Sequence, residues 1–160
     1  AKRPFMRPAE LATSAAGKFS VWKHALAACE DVYKTRYDYF LDIDCTTPLL
    51  DAGDLKRFLD AFFKSLEADE LDGMFTVSSS HRNPYFNLVE EDAAGFLSLS
   101  KKLSTNIESR QSSPKTWDIV AGFYAFKAEY IRTNTYLMNG KMKPFEVPRE
   151  RSFDIDEPLD

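Results

Sequence analysis

Apolar and polar positions along this chain repeat with two different periods. Over residues 20–33 the apolar side chains Trp22, Ala25, Leu26, Cys29, Val32 and Tyr33 recur every three or four positions, which is the spacing of one helix face. Residues 39–43 form a short apolar run with aromatic and branched side chains, which predicts a buried strand. A second helix is predicted from Asp51 or Ala52 to Leu66. There Leu55, Phe58, Leu59, Phe62, Phe63 and Leu66 share one broad face, and Asp51 is placed to cap it. Asp72 and Gly73 then turn the chain into a strand over residues 74–77. Strand, helix and strand with short joints make a βαβ unit, which predicts a parallel pair with a right-handed crossover.

Beyond Pro84 the pattern loosens. Residues 85–89 and 95–99 read as the two strands of a hairpin around an acidic turn at 90–92, and residues 101–116 are polar and loop-like. An excursion with so little core of its own must pack on something else, such as another subunit. Residues 119–126, with Gly122 inside, return as an apolar strand. A short helix and turn follow at 130–139, then a last strand at 142–147. Near the start, residues 7–12 suit a single helical turn.

The candidate chemistry sits at the strand ends. Asp42 and Asp44 are two apart on a strand, so both point the same way. Two carboxylates there are costly to bury unless they meet a cation or donors. They therefore either end the strand in water or edge an active site. Ligands of parallel sheets bind beyond the strands' carboxyl ends, which places the pair beside the polar run 78–83 with His81 and Arg82. His24, beside the first helix stripe, reads as a boundary histidine. Gly17, among the small residues at 14–18, lets backbone come close to a ligand. Asp154 and Asp156 form a second acidic pair, either a solvated tail or a holder for a hard cation such as Mg²⁺. No glycine-rich phosphate loop, zinc spacing or Ser-His-Asp arrangement occurs in the sequence.

Composition narrows the classes. The 160 residues fit one domain, and their net charge of −4 argues against a general nucleic-acid or membrane-surface binder. Cys29 and Cys45 make no disulfide framework and read as buried free thiols, which suits a reducing compartment. No apolar run has the length of a membrane span, and no signal-peptide pattern opens the chain, so a cytoplasmic location is expected.

Several ordered pieces carry a family resemblance. Arg7-Pro-Ala-Glu-Leu-Ala12, Ile43-Asp-Cys-Thr-Thr-Pro-Leu49, Arg110-Gln-Ser-Ser-Pro114 followed by Trp117 and Ala121-Gly-Phe-Tyr124, and Ser152-Phe-Asp-Ile-Asp156 run in order over nearly the whole chain. Together they resemble the acylneuraminate cytidylyltransferases, the enzymes that activate sialic acid and other nine-carbon acidic sugars. The resemblance implies a nucleotide-diphospho-sugar-transferase fold: α/β, Rossmann-like, with a mostly parallel sheet flanked by helices. It also implies a β-hairpin dimerisation arm over residues 84–117, within a single domain over residues 1–160. The implied reaction transfers CMP from CTP to an acidic nonulosonic sugar and releases pyrophosphate, with Mg²⁺ or Mn²⁺ gathering the phosphates.

Carried over position by position, Asp154 and Asp156 would hold the metal and Asp44 would act with them in catalysis. Arg7 and the backbone around Ala16 and Lys18 would meet the cytidine, and Arg110, Gln111 and Tyr124 would lie in or near the sugar site. Asp44 stands where many members have Gln, Val120 replaces an Asn, and Asp118 occupies a place where some carry Arg. All three changes point away from an ordinary sialic acid pocket. Family members begin with a strand and a phosphate-wrapping loop, and they close with a helix beyond the second acidic pair. The resemblance thus implies a chain truncated at both ends, inactive alone, with an exposed strand edge and poor solubility. The competing expectations are a non-catalytic binding protein of the same fold and a metal-dependent glycosyltransferase with a similar acidic pair.

Overall fold

The computed structural model describes residues 2–105, 107, 109–158 and 160. The first helix, α1 (Lys18–Tyr33), begins two residues ahead of its expected start at residue 20. It ends where Lys34 takes a left-handed conformation at φ 50° and its amide bonds back to Glu30. Of the stripe, Trp22 and Leu26 are buried, together with Phe19, whereas Val32 and Tyr33 stay exposed. After β1 (Tyr39–Ile43) comes α2 (Ala52–Ala68). Its start is fixed by a capping box: Asp51 accepts from the Asp54 amide and Asp54 accepts from the Asp51 amide. The helix leads into β2 (Gly73–Ser79). A small hairpin, β3 (Val89–Glu91) and β4 (Leu97–Leu99), is followed by the long β5 (Trp117–Lys127), α3 (Ala128–Thr133) and β6 (Met142–Glu146).

The main sheet has the order β1-β5-β2-β6. β1, β2 and β6 run one way and β5 runs against them. The α/β class with helices on both faces is therefore as expected. α1 and α3 cover one face around Phe19, Trp22, Phe75, Tyr124 and Phe126, and α2 covers the other around Phe58, Phe62, Met74 and Phe123. The pairing of β1 with β2 is corrected, because β5 lies between them and bonds to both. β5 holds the longest buried apolar run in the chain, Phe123 to Phe126, so the centre of the sheet is where it buries most. Hydrophobic pattern identifies a strand but not its neighbour.

Opposite Phe75 to Val77 the β2–β5 register slips, and Thr76 holds the irregularity. Its fully buried hydroxyl donates to the Val120 carbonyl at 3.0 Å and accepts the Phe123 amide at 2.9 Å. Gly122 is needed here: a Cβ would come within 2.6 Å of a Leu50 methyl and 2.7 Å of the Thr76 hydroxyl.

The hairpin is also shifted from its expected register. Residues 84–88 turn instead of extending, because the Asn83 carbonyl collects the amides of Phe86, Asn87 and Leu88. Glu90 and Glu91 consequently lie in β3, and the turn falls at residues 92–96. There the Asp92 side chain accepts the amides of Ala94 and Phe96, and Gly95 takes φ 84°. No helix among the described residues is long and apolar enough to cross a membrane.

Candidate active site

The carboxyl end of β1 builds the site. Asp42 and Asp44 are half-buried on the sheet face that carries α1, and the first residue of α1 delivers Lys18 between them. The Lys18 ammonium pairs with Asp44 and lies 3.2 Å from Asp42 Oδ2. That Asp42 oxygen is enclosed and lacks a hydrogen bond, so its contact with Lys18 is an ion pair without donor alignment. The same ammonium sits 4.2 Å from the centroid of the Tyr124 ring and 5.6 Å from that of Trp22. Trp22 lies one helical turn beyond Lys18, and Tyr124 is the β5 residue paired with Asp42.

Tyr124 reports the field of the site. Burial pushes its phenol well above the usual range, and the negative charges of Asp44, Asp42 and Asp154 push it further. Asp154 is thereby part of the same electrostatic centre. The Ile155 amide donates to the Thr46 carbonyl at 2.9 Å and stitches the acidic tail to the loop leaving β1. Asp154 Oδ1 is enclosed without a partner, whereas Asp156 is exposed and its amide is taken by the Asp160 carboxylate. Asp44 is fixed by its own backbone, whose amide donates to the Gly122 carbonyl at 2.9 Å. The Thr76-held irregularity of β5 thus sets the height of Asp44.

Residues 149–152 are anchored just before the tail. The Arg151 guanidinium reaches Asp54 Oδ2 at 2.7 Å, and Arg57 pairs with the other oxygen of this buried carboxylate. The cap of α2 therefore also holds the approach to Asp154.

A cavity of about 240 Å³ opens beside the Lys18 cluster and is lined by Arg7, Leu11, Ala16, Lys18, Asp42 and Asp44. It unites Arg7, Ala16, Lys18 and Asp44 from the sequence expectation. The expected helical turn at 7–12 is present as a 3-10 turn, Ala9–Leu11, and carries Leu11 to the wall. Gly17 is not a point of close approach: its φ is −64° and the space beyond its Cα is open. Tyr124 lies beneath Lys18. Arg110 is elsewhere, at a second cavity of about 230 Å³ beyond the end of β2, with Ser79, Asn83 and Lys115. Gln111 is exposed on the same 3-10 turn as Arg110. Contrary to expectation, the run 78–83 does not adjoin Asp42 and Asp44, since β5 separates β2 from β1. His81 instead pairs its ring with Arg149 at 3.2 Å.

No group of three or more His, Cys, Asp or Glu side chains that could hold a metal occurs among the described residues. The unpartnered Asp154 oxygen does fit Mg²⁺, which takes one or two carboxylates and completes its shell with phosphate oxygens and water. Sequence reasoning missed the Lys18 side chain, Thr76 and Arg151. For Lys18 the signal was present: a cation one helical turn before a buried Trp, in a chain with two strand-end carboxylates that need a counter-charge.

Over 98% of its length the chain is 31% identical to the post-translational flagellin modification protein B of Campylobacter coli. Over the same share it is 32% identical to the CMP-N,N'-diacetyllegionaminic acid synthase of Campylobacter jejuni. The chain spans 63% of the length of each of these two proteins. The fold is shared with a 4-diphosphocytidyl-2C-methyl-D-erythritol synthase from Anaerococcus prevotii at a TM-score of 0.54 and 11% identity. That likeness covers 91% of this chain and 63% of the other. No protein-family model matches the chain.

Proposed function

We propose that this chain forms the catalytic core of an enzyme that transfers CMP from CTP to an acidic nonulosonic sugar. The observation that carries the reading is the cavity where Arg7, Ala16, Lys18 and Asp44 meet, beside a tail that brings Asp154 into the same field. A sugar hydroxyl attacks the α-phosphorus of CTP, the new oxygen–phosphorus bond forms, and the bond to pyrophosphate breaks. Arg7 and the backbone at Ala16 hold the nucleotide, and Asp44 accepts from the attacking hydroxyl. Arg110, with Gln111 beside it, lies at the separate cavity beyond β2 and takes no part in this step. Asp154 and Asp156 would hold Mg²⁺, or Mn²⁺, which supplies charge to the departing pyrophosphate. Catalysis then rests mainly on positioning and on fixed charge. We place the enzyme in the cytoplasm, and as a homodimer joined through the arm at 84–117; the two thiols are free, but Cys45 is exposed and Cys29 only half-buried, not buried as expected.

The test is pyrophosphate release from CTP with a panel of nonulosonic acids, alongside CTP binding by calorimetry. Release that depends on one acid, and falls at least about a hundredfold in Lys18→Met, is expected. A second reading, a binding protein without catalysis, is favoured by one observation: Lys18 already pairs with both strand-end carboxylates. CTP binding with no release for any acid would select it.

A further inference from the structure

Asp54 carries more charge than a helix cap requires. It is 1% exposed, and its Oδ2 already accepts the Asp51 amide at 3.1 Å to close the capping box. A buried carboxylate needs a cation, and Arg57, one turn along the same helix, supplies one to Oδ1. The cap is then complete within α2. A second guanidinium nonetheless arrives from 97 residues further along the chain, where Arg151 donates to Oδ2 at 2.7 Å. Arg151 is the more covered of the two arginines, so its pair is the better shielded from water and salt.

The tail gains what the helix does not need. Arg151 ends a single 3-10 turn, Arg149–Arg151, in which its own amide donates to the Pro148 carbonyl. The Ser152 amide and hydroxyl both donate to the Arg149 carbonyl and close the turn. The turn also starts from a fixed point, since the amide of buried Val147 donates to the Val77 carbonyl of β2 at 2.8 Å. Beyond Arg151, one other hydrogen bond ties residues 151–156 to the body of the molecule among the described residues: the Ile155 amide on the Thr46 carbonyl. The Phe153 and Ile155 side chains are exposed and give little anchorage. Asp154 therefore stands between two points, the Arg151 guanidinium before it and the Ile155 amide after it. That span holds its enclosed, unpartnered Oδ1 in place.

We infer that Arg151 is a positioning residue: its ion pair with Asp54 sets where Asp154 stands, and so sets the affinity of the acidic tail for a divalent cation. The inference rests on the proposed role of Asp154 in holding that cation. The test is Mn²⁺ binding to the 160-residue chain, read from the electron paramagnetic resonance signal of the free ion, with urea denaturation to confirm that each variant is folded. Asp154→Asn identifies the tail's share of the binding. Arg151→Met and Asp54→Asn should each weaken that share at least about tenfold, the scale of losing a group that orients a metal ligand. The double variant should bind no more weakly than either alone, because both remove the same pair. Arg151→Lys should recover part of the loss. Arg57→Met takes the other guanidinium from the same carboxylate. It should lower the urea midpoint yet leave Mn²⁺ binding unchanged, which a merely structural role of the Asp54 cluster would not allow. Equal weakening by Arg57→Met and Arg151→Met overturns the inference, as does binding by Arg151→Met at wild-type strength, and either result leaves the metal role of Asp154 standing. An Asp154→Asn chain that binds as wild type overturns both.

Discussion

Thr76 is the residue on which the candidate site depends most indirectly. Its hydroxyl closes the irregular stretch of β5 from within, and Gly122 in that stretch supplies the carbonyl that fixes Asp44. Thr76→Val keeps the shape but leaves the Phe123 amide and the Val120 carbonyl without their partner. The expected cost is about 2 kcal/mol, the scale of burying an unmet polar group, read as a lower midpoint in urea. CTP affinity should fall along with it, because Asp44 loses its register. At this scale the sequence was only partly readable. Asp42 and Asp44 announce themselves as carboxylates at a strand end, and Lys18 could have been matched to them by charge. Thr76 could not, since a threonine in an apolar strand looks like ordinary β-propensity until its hydrogen bonds are seen.

At the scale of elements, α1 is joined to α3 and to the start of β1 through one ion pair. Arg132 on α3 reaches Glu30 near the end of α1 and the Tyr37 carbonyl beyond it, and both side chains are about four-fifths covered. The hydrogen bond from Arg132, outweighing burial, holds the Glu30 carboxyl below its ordinary value of 4.5. A carboxyl lowered in the folded state contributes stability that is complete above its unfolded value. That stability is lost as pH falls through the folded value. Thermal midpoints should therefore drop on acidification below about pH 4.5, and Glu30→Gln should remove that part of the drop. At neutral pH the same variant should lose about 1 kcal/mol, modest because the pair is still partly wet. The helices themselves were legible because their signals are local. α2 is written in the stripe Leu55, Phe58, Leu59 and Phe62 and in Asp51 at its cap. The neighbour of β1 was not legible, because the strand that pairs with it follows long after α2. The shift of the hairpin likewise turned on the carbonyl of Asn83, which no periodicity reveals.

At the scale of the molecule, the edge of the sheet decides how the chain behaves in solution. β1 bonds to β5 on one side, and on its other side no strand pairs with it among the described residues. Tyr39, Leu41 and Ile43 are 40–51% exposed along it. An apolar strand with a free edge is a template for other chains. Leu41→Lys should lower light scattering of concentrated solutions while changing stability by no more than about 0.5 kcal/mol, the usual range for an exposed site. The order of the sheet has a further consequence, in time rather than in space. β1 and β2 leave the ribosome early, yet neither can bond to the other, and both wait for Trp117–Lys127 to be made. Until then, within these 160 residues, β1 and β2 lack the strand that joins them, and α1 and α2 lack the completed sheet they cover. Its folding is governed by contacts distant in sequence, which makes it slow and leaves the growing chain dependent on whatever shields apolar surface in the cell.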